Sequence, residues 1–308
     1  MGSGKRKVAG VTKITLLDGS IGQELVHRAG TRPTPLWSTS VMLDRPELVR
    51  AVHGDYFNVG ATIATTNTYS ALRDRLRPEG LEDRFADLIE TALAEVEAAR
   101  DAHGGGRIAG SLGPLRASYR PDLCPPEDEA ATAYAELVRL MEGRVDLFLI
   151  ETVSSILQAR GALAGCAGTK LPVWLSVSVD DENGTRLRSG EGLSSLAPVV
   201  DEFRPDALLV NCSRPEAIST ALTILKPLGL PIGAYANGFT RISDGFLQDR
   251  PTVDALSARK DLGPSEYADF AMGWVDAGAT IVGGCCEVGP AHIAELARRL
   301  TAAGHKIV

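Results

Sequence analysis

Short apolar runs rich in β-branched residues recur along the whole chain. They are ITLLD (14–18), ATIATTNT (61–68), RIAGSLG (107–113), DLFLIET (146–152), PVWLSVSV (172–179), ALLVNC (207–212), PIGAYA (231–236) and TIVGGCC (280–286). Several are continuous rather than alternating, as expected of parallel strands buried on both faces. Between them the pattern changes to a helical period. The segment 45–60 opens with Pro46 and closes at Gly60, a start and stop that suit a helix. The segment 79–103 is long, amphipathic and rich in helix formers. Further helices are predicted at 127–143, 154–165, 193–203, 214–226, 265–277 and 290–303. Eight strands, each followed by a helix, predict an α/β fold: a (β/α)₈ TIM barrel in a single domain. A doubly wound open sheet more often carries a glycine fingerprint after its first strand. DGSIGQEL (18–25) has Gly19 and Gly22 without the G-x-G-x-x-G spacing.

Residues 13–308 are assigned to the barrel. The first ten residues, MGSGKRKVAG, lack the apolar core of a signal peptide, and residues 1–12 read as a flexible N-terminal tail. No apolar run approaches the roughly 20 residues of a membrane-spanning helix. The formal charge is −7, and the basic residues form no block beyond GKRK at 4–7. A nucleic acid or an anionic membrane is therefore not the expected partner. A cytoplasmic protein is expected, monomeric or a small homo-oligomer, acting on small molecules.

Barrel enzymes build their sites at the C-terminal ends of the strands, from the loops that follow. Here those ends carry Asp18, Asn67, Thr68, Ser111, Glu151, Ser178, Cys212, Tyr235, Cys285 and Cys286. Two carboxylates at one barrel mouth imply a cationic partner, because unpaired buried carboxylates are costly. The two longest connections, 114–129 and 237–263, follow strands three and seven and rise from the same end.

The cysteines add a more specific chemistry. An odd count of five in a chain of 308 residues is not a disulfide framework. Cys285 and Cys286 are adjacent, behind Gly283 and Gly284. Such a pair can clamp a metal, form a redox disulfide or fill space. In a regular strand neighbouring side chains face opposite ways, so a shared metal requires a bend, which two glycines permit. With Cys212 they would make a three-thiolate zinc site with one open position, the mark of a catalytic zinc. Cys124, in a proline-rich loop, and Cys166, near a helix end, read as structural. A substrate thiol entering the open position would lose its proton. The electron-rich sulfur of that anionic site suits attack on a cationic donor such as a methylsulfonium. A hydrolase or lyase barrel would instead present histidine ligands, and none of the five histidines ends a predicted strand. A non-catalytic zinc or redox thiol switch is the alternative of another class.

The segments LLDGSIGQEL, LWSTSVML, ATTNTYSA, GSLGP, FLIETVSS, LLVNCS and GGCCEVGPAHI together resemble the homocysteine S-methyltransferase family, from about residue 13 to residue 303. The resemblance implies a zinc-dependent methyltransferase that passes a methyl group from an onium donor to the thiol of homocysteine, giving methionine. It implies Zn²⁺ as cofactor with Cys212, Cys285 and Cys286 as ligands. Asp18 and Glu151 match acidic residues near the substrate ammonium, and Asn67, Thr68 and Ser111 lie in motifs lining the same pocket. Trp37 and Tyr69 match aromatic positions on the donor side, where Tyr235 and Asn237 are also placed. An aromatic face holds a sulfonium or quaternary ammonium by cation–π attraction. The donor is expected to be S-methylmethionine, S-adenosylmethionine or similar, with betaine, dimethylsulfoniopropionate, or a different thiol or selenol acceptor as alternatives. The chain departs from the family's P-N-S-G-E-like segment after strand seven, where it reads YANGFTRISDGF (235–246). Donor choice is therefore expected to lie with the loops 114–129 and 237–263.

Overall fold

The computed structural model describes residues 12–30, 32–248 and 250–308. Apart from Thr12, the expected N-terminal tail lies outside the described residues. All eight predicted strands form: β1 (Lys13–Leu16), β2 (Ile63–Thr65), β3 (Arg107–Leu112), β4 (Leu147–Val153), β5 (Val173–Val177), β6 (Ala207–Asn211), β7 (Ile232–Tyr235) and β8 (Ile281–Val282). They pair in parallel in chain order from β2 to β8, and β8 pairs with β1. The circle closes where Leu17 bridges Ile63, with the Asp18 amide donating to the Ile63 carbonyl at 3.0 Å. The fold is a (β/α)₈ barrel in one domain. A ninth strand, β9 (Lys306–Ile307), pairs with the start of β1 outside the ring. Two residues are too few for a periodic signal, so the sequence does not announce it.

Side-chain alternation explains the two-layered core. Along β4, Leu147 and Leu149 point into the barrel, while Phe148 and Ile150 pack against the helices. The same period places Glu151 on the inward face. Ala109 of β3 and Leu209 of β6 set the inward register of Ser111 and Asn211 in the same way. The interior below the site is filled by Leu17, Ile63, Leu147, Leu149, Trp174 and their neighbours. The bottom is therefore a packed core, and the open space lies at the strand C-termini.

The helices follow the predicted period, with shifts at their ends. Segment 45–60 becomes Pro46–Asn58. Segment 79–103 becomes Phe85–His103, because Gly80 takes a left-handed φ of 70° and short 3₁₀ turns precede the helix. Two helices that were not predicted, Ile21–Ala29 and Ser38–Asp44, lie between β1 and β2. Among the described residues no helix is long and apolar enough to cross a membrane.

Strand β8 is shorter than predicted. It stops at Val282, so Cys285 and Cys286 do not continue it. The cause is close packing by the two glycines. A Cβ on Gly283 would lie 2.5 Å from Leu17 Cβ, and one on Gly284 would lie 2.2 Å from Val288 Cγ1. Neither glycine has a positive φ. Their role is close approach to β1 and to the following turn, and the chain leaves the strand there.

Candidate active site

Three cysteines meet at the barrel mouth. Cys212 follows β6, and its backbone turns left-handed, with φ of 49°. That conformation is costly for a residue with a Cβ, and the surroundings hold it. The Cys212 carbonyl accepts from Arg188 at 2.9 Å and from Ser178 Oγ at 3.1 Å. Arg188 is itself fixed by a partly buried ion pair with Asp181 at 2.8 Å. Cys285 is tied to the segment after β7 through its amide and the Ala236 carbonyl, 3.0 Å. The Cys286 carbonyl accepts from the Gly238 amide at 2.7 Å, and Tyr267 Oη donates to the Gly283 carbonyl at 2.6 Å.

The three sulfurs lie within 4.8 Å of one another, the sole cluster of metal-type side chains of this kind among the described residues. Cys212 Sγ and Cys285 Sγ are 2.6 Å apart, and all three cysteines are free of disulfides. Hydrogen bonds from Cys285 and Cys286 hold the Cys212 thiol well below the ordinary range. Donating those bonds, together with burial, pushes Cys285 and Cys286 up. One thiolate shared among three sulfurs is the arrangement a divalent cation would complete. An all-sulfur donor set, with no imidazole in the cluster among the described residues, fits a soft or borderline metal such as zinc.

The two carboxylates share the same cavity, a space of about 740 Å³ that includes its open mouth. Asp18 is 2% exposed. Its oxygens accept from the Thr65 amide at 2.6 Å and from Thr65 Oγ1 at 2.9 Å. Glu151 is 9% exposed. It accepts from Ser111 Oγ at 2.5 Å and from Tyr235 Oη at 3.1 Å. All these partners are neutral. Burial therefore pushes Asp18 up to about 8, with the Glu151 charge adding to the rise. Burial likewise raises Glu151 to about 7, opposed by its hydroxyl donors and reinforced by the charge at Cys212. A bound cation would reverse both shifts.

These shifts set a pH dependence. In the ligand-free protein both carboxyls keep protons that the unfolded chain has lost above about pH 4. Because the native state binds more protons, stability falls as pH rises from about 4 through 7 and 8. Thermal melts of the ligand-free protein should therefore show Tm falling between pH 5 and pH 8. The double variant Asp18→Asn, Glu151→Gln should show a shallower slope. Equal slopes in the two proteins would contradict this reading of the carboxylates.

Aromatic side chains line the same cavity. Trp37 and Tyr69 stack with ring centroids 6.1 Å apart and planes 14° from parallel. Phe246 tilts against Trp37 at 5.7 Å, and Tyr119 meets Phe246 edge-on at 5.9 Å. Trp37, Tyr119 and Thr152, like Cys212, have positive φ, and all four line the cavity.

The structure brings Asp18, Trp37, Asn67, Tyr69, Ser111, Glu151, Tyr235 and the three cysteines around one cavity. It places others elsewhere. Thr68 is fully buried behind the wall, donating to the Ser111 carbonyl at 2.7 Å. Asn237 is also outside the cavity lining, and its Oδ1 accepts from the Phe239 amide to hold the loop after β7. Tyr235, expected on the donor side, instead donates to Glu151 beside the carboxylates. Asn67 lines the cavity, but its amide is engaged by Ser38 and Met42. Sequence reasoning missed Thr65, Tyr119, Thr152, Arg188 and Phe246. Tyr119 and Phe246 lie in the two long connections already singled out, which was the available signal. Nothing in the sequence pattern marks Thr65 or Arg188.

A model of the family described as homocysteine S-methyltransferase matches residues 15–300. The homocysteine S-methyltransferase of Escherichia coli (strain K12) is 31% identical over 311 residues, covering 93% of this chain and 95% of its own length. Homocysteine S-methyltransferase YbgG of Bacillus subtilis (strain 168) is 27% identical, covering 92% and 93%. Among solved structures, the metallated form of the homocysteine methyltransferase MmuM from Escherichia coli superposes with a TM-score of 0.78 at 27% identity. It covers 94% of this chain and 96% of its own.

Proposed function

We infer the reaction from one premise: the chain belongs to the homocysteine S-methyltransferase family. The activity is methyl transfer to homocysteine. We assign the metal to Cys212, Cys285 and Cys286 and take it to be zinc. When bound there, zinc supplies a site that keeps a substrate thiol in its thiolate form at neutral pH. The observation that carries this reading is the meeting of three sulfurs within 4.8 Å with two buried, neutrally partnered carboxylates in one cavity.

The remaining roles belong to the chain's own side chains. Asp18 and Glu151 take the homocysteine ammonium, which supplies the missing countercharge and holds both carboxyls ionised. Ser111, Tyr235 and Thr65 keep the two carboxylates aimed into the cavity. The amino acid is thereby anchored at one end while its sulfur lies at the cysteines, so much of the entropic cost of alignment is met on binding. Trp37, Tyr69 and Tyr119 form the face for the positive charge of the donor, with Phe246 packed behind Trp37. In the transfer, the bond between the methyl carbon and the donor sulfonium breaks and its electrons stay on the donor sulfur, which leaves neutral. The homocysteine sulfur forms the new bond, its proton having gone to solvent.

We propose an S-methylsulfonium as the donor, S-methylmethionine or S-adenosylmethionine. The test is a panel of these two with betaine and dimethylsulfoniopropionate, each incubated with homocysteine and zinc-loaded protein. Methionine is expected from S-methylmethionine or S-adenosylmethionine. Formation only from betaine or dimethylsulfoniopropionate would overturn the donor assignment, and formation from none would overturn the reaction.

A further inference from the structure

Gln23 is a buried polar group with no part in the chemistry assigned above. It stands in the first turn of helix Ile21–Ala29 and lines the same cavity as Asp18 and the cysteines. It is 5% exposed. Its Nε2 donates to Glu287 Oε1 at 2.7 Å. An ionised carboxylate only accepts, so this bond fixes which end of the amide faces Glu287. Gln23 Oε1 must then face the other way. There it is sealed from solvent and has no hydrogen-bond partner among the described residues. Buried carbonyls left unpaired are costly and uncommon in native structures.

Glu287 supplies a second, independent observation. It follows Cys286 directly, and its backbone is left-handed, with φ of 64°. Glycine would adopt that conformation without strain. A side chain kept at such a position points to a task for it, and its contacts are with Gln23 and, at 3.9 Å, His27 Nε2.

We propose that Gln23 Oε1 accepts a hydrogen bond from the ammonium group of a bound substrate, with Glu287 as the positioning residue that orients it. The inference rests on the homocysteine-methylating reading. The ammonium has two sources, homocysteine or an amino-acid sulfonium donor, and the experiment separates them.

Gln23→Leu and Glu287→Gly are compared with the wild type, each metal-loaded and checked by thermal melt. Calorimetric titrations with homocysteine and with S-methylmethionine read binding independently of turnover. Gln23→Leu is expected to weaken one of the two ligands by about tenfold or more, the loss of a hydrogen bond to a charged group. Weakened homocysteine assigns Gln23 to the thiol substrate, and weakened S-methylmethionine assigns it to the donor. Glu287→Gly should weaken the same ligand while its Tm holds or rises, because backbone strain is relieved. A purely structural pair would lower Tm and leave affinity alone. Equal affinities of folded Gln23→Leu and wild type for both ligands overturn the proposal. If the wild type binds homocysteine but forms no methionine from any donor, the reaction assignment falls while the Gln23 titrations still decide this inference.

Discussion

Cys285→Ala is expected to lose the metal and the activity together. Two thiolates remain in that variant, and among the described residues neither a histidine nor a carboxylate belongs to the cluster to replace the third. Changes to residues that merely support metal ligands commonly cost ~10–100-fold in affinity or activity. Loss of a ligand itself should reduce turnover by at least ~100-fold, with metal content falling from about one per chain toward zero. Cys124→Ser is the control, because Cys124 sits in the proline-rich loop outside the three-sulfur cluster, where its thiol donates to the neighbouring Pro125 carbonyl. It should keep full metal content and turnover. Metal analysis by mass spectrometry, beside methionine formation, checks both variants. An active, metal-replete Cys285→Ala protein would remove Cys285 from the site. An active protein with no metal would instead point to chemistry at the thiols alone.

The second large effect is expected at Glu151. Glu151→Gln keeps the size of the side chain and an acceptor oxygen for Ser111 or Tyr235, but removes the charge. If the carboxylate binds the homocysteine ammonium, KM for homocysteine should rise by roughly 10–100-fold, the worth of a hydrogen bond between charged groups. The maximal rate should change much less, because the group contacts the substrate away from the reacting sulfur. KM for the methyl donor should stay near its wild-type value. Asp18→Asn should behave similarly, and the double variant should lose less than the product of the single effects, since both groups serve one ammonium. A fall in the maximal rate with homocysteine KM unchanged would place Glu151 in the methyl-transfer step instead.

The barrel was legible because parallel strands buried on both faces leave unbroken apolar runs, and β4 shows why its end was legible too. Leu147, Leu149 and Glu151 are spaced two apart, which aims the carboxylate at the interior beside the register shift between Ile150 and Val153. Gly283 and Gly284 announced an irregular end to β8, although the reason for it is packing against Leu17 and Val288 rather than backbone freedom. What stayed hidden depends on contacts between distant segments. Arg188 reaches the Cys212 carbonyl from a loop 24 residues earlier. Thr65 meets Asp18 across the closing edge of the barrel, 47 positions away. Thr68 and Asn237 sit within conspicuous motifs, yet a turn after a strand alternates in no fixed way, and both side chains bond backbone instead of facing the cavity. Tyr235 illustrates the same limit. Its place at the end of β7 was readable, but its hydroxyl's choice of Glu151 required the curvature of the closed ring.

The most direct test is X-ray absorption at the zinc edge of the zinc-loaded protein, with and without homocysteine. Three sulfur neighbours are expected in the free protein and four once homocysteine is bound, with the change absent when homoserine replaces homocysteine. Fewer than three sulfurs in the free protein, or a sulfur count that homocysteine leaves unchanged, would contradict the assignment of the zinc site.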